Sequence, residues 1–91
     1  MAQPQQPPPV PVPDAPAARH LGDLVRSDTR WSVYLETRVS GSLAHGRLHF
    51  VDGSRTRTTG WIFREWSEHD IAQRFNEFGA VELLKILESL G

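Results

Sequence analysis

HFVDGSRTRTTGWIF, residues 49–63, carries the punctuation that organises the whole chain. Asp52-Gly53 is a favoured pair for a tight hairpin turn, because the turns that match strand twist need positive φ at their centre. Ser54 and Arg55 lengthen the connection and leave the turn type open. On the near side, RLHFV (47–51) reads as a strand with Leu48 and Phe50 inward and Arg47, His49 and Val51 outward. On the far side a third strand runs from about Thr56 to Arg64, rich in threonine and aromatic residues. Its Trp61 and Phe63 point one way, its Ile62 and Arg64 the other. A strand covered on both faces gives that pattern, and so does a bulge near Gly60.

Upstream, WSVYLETRV (31–39) alternates with period two: Trp31, Val33, Leu35, Thr37 and Val39 against Ser32, Tyr34, Glu36 and Arg38. SGSLAHG (40–46) reads as a loop. In AARHLGDLVRS (17–27), Leu21, Leu24 and Val25 are spaced by three and four, which predicts a short helix, although Gly22 weakens it by about 1 kcal/mol relative to alanine.

Downstream, Ser67 followed by Asp70 marks a helix start, with the hydroxyl as cap and the carboxylate reaching back. Trp66 and Ile71 stand where a hydrophobic staple packs. The apolar stripe runs through Ile71, Phe75 and Phe78 to Gly79, which ends or bends the helix. A last helix spans about Ala80 to Leu90, with Val81, Leu83, Leu84, Ile86, Leu87 and Leu90 on a wide apolar face. The expectation is an α+β domain: a three-stranded antiparallel meander followed by two C-terminal helices on one face, with a short N-terminal helix.

All seven prolines fall within the first sixteen residues. Residues 1–18 therefore read as a proline-rich disordered leader, with too little apolar area to offset ordering entropy and a polyproline II tendency. Residues 19–91 read as one small domain. Pro8/Pro11 and Pro13/Pro16 have the i, i+3 spacing that aromatic-lined grooves recognise, but no nearby arginine fixes an orientation. There is no cysteine, hence no disulfide or thiolate metal site, which fits a reducing compartment. No apolar run approaches the roughly 18 residues of a membrane span, and no signal-peptide pattern opens the chain. The expected location is cytoplasmic, without membrane contact.

The formal net charge of −1 conceals an asymmetry. Arg19 to Arg64 holds eight arginines against four acids, whereas Glu65 to Gly91 holds two bases against six acids. The two halves can neutralise each other within the fold or across a dimer.

Two binding surfaces follow. The first makes the chain a non-enzymatic interaction or scaffold module, self-associating or bound to another protein through Trp61, Val81, Leu84, Leu87 and Leu90, or through an open sheet edge. The second is a nucleic-acid-binding sheet face carrying Tyr34, Arg38, Arg47, His49 and Arg57, with Glu36 available to pair with an arginine. No metal or other cofactor is expected: His45 and His49 are four apart, but no HExxH pattern or cysteine accompanies them. Nor is a small-molecule substrate or catalysis expected. Glu65, Ser67, Glu68, His69 and Asp70 cluster in sequence, but Ser67 and Asp70 are accounted for by the helix cap.

Overall fold

In the computed structural model, which describes residues 18–90, five strands precede two helices. They are β1 (Ala18–Arg26), β2 (Thr29–Ser40), β3 (Leu43–Val51), β4 (Thr56–Thr58), β5 (Phe63–Glu65), α1 (Glu68–Asn76) and α2 (Ala80–Ser89). All strand pairings are antiparallel, in the order β1-β2-β3-β4, with β5 also on β3. The α+β class, the meander and the two helices agree with the sequence reading. Residues 1–17 of the expected leader lie outside the described residues, and Ala18 opens β1.

The Asp52 turn joins β3 to β4 as a four-residue connection. The Asp52 N–H donates to the Arg55 carbonyl at 3.1 Å, while its Oδ1 accepts from the N–H groups of Ser54 and Arg55 at 3.2 and 2.8 Å. Gly53 has φ 101°, which a side chain would resist. The expected loop at 40–46 shrinks to the two-residue turn Gly41-Ser42, since Ser40 already pairs with Leu43. Gly46 serves packing instead of a turn: a Cβ there would meet Ile71 Cγ2 at 2.9 Å. It lets α1 settle onto β3.

The expected N-terminal helix is a strand. Leu24 pairs with Trp31 and His20 with Tyr34, and the register shifts between His20 and Gly22. In a regular strand Leu21 and Leu24 would face opposite sides. The one-residue bulge brings both to the helix-covered face, where Leu24 is buried and Leu21 packs against the core. A bulge thus reproduces the i, i+3 spacing that suggests a helix.

The third strand is interrupted. Thr58 pairs with His49 and Phe63 with Gly46, so four residues, Thr59–Ile62, span the two positions Arg47 and Leu48 on β3. Thr59 anchors this excursion: its N–H donates to the Leu48 carbonyl at 2.9 Å, and its hydroxyl accepts the Leu48 N–H at 3.0 Å. Two extra residues leave the period-two phase unchanged, with Arg57 and Phe63 both on the helix side, but the excursion between them is not extended strand. Phe63 is buried under the helices, whereas Trp61 meets arginines of the opposite face.

Both helices cover one face. Trp31, Val33, Leu35, Leu48, Phe50, Phe63, Ile71 and Leu87 are all buried there. The Ser67 hydroxyl caps α1, accepting from the Asp70 N–H at 3.1 Å. The staple does not form: Ile71 is fully buried, but Trp66 is 76% exposed. The close seat of Ile71 on Gly46 turns it toward the sheet and away from the chain entering the helix. Between the helices, Gly79 donates its N–H to the Glu82 carboxylate at 2.7 Å and begins α2.

Candidate binding face on the outer side of the sheet

Residues directly opposite in an antiparallel pair share a face. The registers therefore place Tyr34 with His49, Glu36 with Arg47, and Arg38 with His45 and Arg64 on the side away from the helices. Four of the five residues expected on a basic sheet face come together here: Tyr34, Arg38, Arg47 and His49. Arg57 does not. It pairs with Phe50 on the helix side, and its guanidinium carbon lies 4.9 Å from the centre of the Trp31 ring. The turn at 52–55 sets the phase of β4, and that phase puts Arg57 inward.

Glu36 is the hub of the face. Its Oε1 accepts from Arg47 Nε at 2.7 Å and also contacts His49 Nε2 at 2.7 Å. His49 Nδ1 lies 2.9 Å from the Thr58 hydroxyl, so both ring nitrogens are engaged and His49 is buried. That geometry leaves His49 no nitrogen for a metal. Among the described residues no group of three or more histidine, aspartate or glutamate side chains is placed to hold a metal ion. Burial alone would raise the Glu36 carboxyl, but the hydrogen bonds and charge of Arg47 and His49 outweigh it and hold it below its ordinary value.

The lowered value has a consequence for stability. Glu36 is ionised more readily folded than unfolded, so its contribution is complete above its ordinary pKa of 4.5 and is lost as pH falls through the folded-state value. Glu36→Gln should cost about 1–2 kcal/mol at pH 7. The difference from wild type should shrink as pH drops from about 5 toward 3, as followed by urea denaturation across that range. A difference independent of pH would refute the hub role.

Trp61 completes the face. The guanidinium carbons of Arg38 and Arg47 lie 4.5 and 4.4 Å from its ring centre. Such contacts are worth about 0.5–1 kcal/mol each at partly exposed sites. Trp61 is half-buried and Arg38 exposed. Tyr34 lies further along, its ring 5.2 Å from that of His20. Among the described residues, Arg38 and Arg64 have no carboxylate within ion-pair distance.

The other expected interface residues separate. Leu87 is fully buried within the chain and is a core residue, not an interface residue. Leu84 and Leu90 are half-buried against the same core, and only Val81, at 60%, is freely exposed. The wide apolar face of α2 is used mainly on β1 and the inner core.

The Glu65–Asp70 cluster does not converge on one centre. The Ser67 hydroxyl is committed to the cap, and Glu65 contacts Arg74 at 3.4 Å. Glu68 and His69 instead border a cleft of about 350 Å³ with Arg19, Leu35, Thr37 and Ala72. Among the described residues no side-chain hydrogen bond joins Arg19, Thr37, Glu68 and His69 into a relay. No described helix is long and apolar enough to cross a membrane.

His45, Arg64 and Trp61 belong to the face but not to the face expected from sequence. Reading 40–46 as a loop hides His45, and the open facing of the third strand hides Arg64 and Trp61. No family model, curated protein or solved structure matches this chain.

Proposed function

We propose that the chain is a non-enzymatic interaction module that engages a negatively charged partner through the outer sheet face, with Trp61 as its aromatic anchor. The observation that carries this reading is the asymmetry of cover. Both helices pack on the inner face, while the outer face presents Arg38, Arg64 and a half-exposed tryptophan stacked on arginine. Tryptophan and arginine are the side chains most often found at the energetic centre of interfaces. Self-association through α2 is the weaker reading, since Leu83 and Leu87 are buried within the chain. Pairing through the β1 edge is also disfavoured. That edge carries a bulge and the charged residues Arg19, Asp23 and Arg26, features that discourage strand addition. The cysteine-free composition fits a reducing compartment, the ground for proposing a cytoplasmic location.

Amide chemical-shift mapping with two short peptides tests the reading. Oligoglutamate should shift amides of β2, β3 and β5 around Arg38, His45 and Arg64, and oligolysine should leave them unmoved. Oligoglutamate shifts confined to α1 and α2, or no shifts with it or with any other polyanion, would refute it.

A further inference from the structure

Arg38, His45 and Arg64 form one cross-strand row. Arg38 pairs with His45 and His45 with Arg64, on three neighbouring strands and on one face. Adjacent strands are about 4.8 Å apart, so the row spans roughly 10 Å between its outer backbones. No acidic residue stands in it. The neighbouring row does contain one, but Glu36 is already taken by Arg47 and His49. Opposite charges normally pair across a sheet, yet among the described residues neither Arg38 nor Arg64 has a carboxylate within ion-pair distance. The row therefore has the electrostatics of a site completed by an anion from outside.

The second observation is the aromatic beside it. Trp61 is carried to this face by the Thr59–Ile62 excursion and held against Arg38 and Arg47. A half-exposed indole next to a basic strip joins the two elements that single-strand binders use: cations for phosphates and a ring face for a base. An acidic peptide would use only the cations. A duplex keeps its bases stacked inside and would likewise leave the indole unused.

Resting on the outer-face reading above, we propose that the partner is a single-stranded nucleic acid, its phosphates along Arg38, His45 and Arg64 and one base against Trp61. Recognition is by backbone and stacking. The row has no buried donor–acceptor set that would read a base edge, so sequence preference should be slight.

Fluorescence anisotropy of the full chain with a labelled 12-nucleotide oligothymidylate tests this, alongside a 12-base-pair duplex and a labelled oligoglutamate. With two or three phosphates engaged, affinity should fall roughly tenfold between about 50 and 200 mM salt. Arg38→Ala/Arg64→Ala should weaken binding at least about tenfold at the lower salt and flatten that dependence. Arg26→Ala/Arg74→Ala removes the same charge from side chains paired with Glu88 and with Glu65 and Glu77, and should change affinity less than about twofold. Trp61→Ala should lose about fivefold or more at both salts, and Trp61→Phe, which keeps a stacking ring, should recover most of it. Thermal melts of each variant verify that the fold persists.

Equal losses in the two arginine pairs would overturn the proposal, as would duplex binding as tight as single-strand binding. Arg38- and Arg64-dependent capture of oligoglutamate without oligothymidylate would overturn the nucleic-acid inference and leave the outer-face reading standing. Binding of neither probe would overturn both.

Discussion

Trp31→Ala should lower the unfolding free energy by about 3–5 kcal/mol, the usual cost of truncating a large buried aromatic. Trp31 is 2% exposed and lies in the first row of the inner face, opposite Leu24. The guanidinium carbons of Arg55 and Arg57 sit 5.2 and 4.9 Å from its ring centre and close the core beside the Asp52 turn. Truncation leaves a cavity and removes the surface on which both arginines rest. A domain of this size has roughly 4–11 kcal/mol in total, so the variant should be close to unfolding. Urea denaturation should show a lower midpoint with an unchanged slope, and the melting temperature should fall by at least about 12 °C. A loss below about 1 kcal/mol would mean that Trp31 does not organise this core.

Leu87→Ala should cost about 2–5 kcal/mol, and its cause separates a domain core from a dimer core. Leu87 is fully buried within one chain, on the face of α2 that also buries Leu83 against the sheet. The loss should therefore be the same at every protein concentration. If α2 were a seam between two copies, the melting temperature would rise with concentration and the variant would weaken that dependence. Val81→Ser, at an exposed position on the same helix, should change stability by less than about 0.5 kcal/mol. A concentration-dependent melt, or a large effect at Val81, would restore α2 as an interface.

The stability changes and the binding changes occupy different faces. Leu87 and Trp31 hold the helix layer to the sheet, whereas Arg38, Arg64 and Trp61 stand on the side that the helices leave open. A variant such as Arg38→Ala/Arg64→Ala can therefore test binding without entering the core.

Local chemistry made several elements legible in the amino-acid sequence. The Asp52-Gly53 turn, the alternation of Trp31 to Leu35 and of Leu48 and Phe50, and the Ser67 cap each depend on a few neighbouring residues, and each stands in the structure. The α+β class followed from those elements. Tyr34, Arg38, Arg47 and His49 also followed, because period two within a strand is a local property.

Tertiary structure decided the phase and the cover. Two departures from regular pairing, at His20–Gly22 and at Thr59–Ile62, turned an apparent helix into β1 and sent Trp61 to the face opposite Phe63. Bulges are set by what the partner strand offers, here the Leu48 N–H and carbonyl taken by Thr59, so the facing of residues 61–64 raises a bulge near Gly60 as one of two readings without choosing between them. The same non-local register placed Arg57 over Trp31 and aligned Arg38, His45 and Arg64 across three strands. Burial of Leu87 depended in the same way on α2 having a sheet to lie on. Sequence determined which residues could form strands, turns and caps; the three-dimensional pairing determined which of their side chains meet, because contacts between distant segments depend on register and packing that no single segment contains.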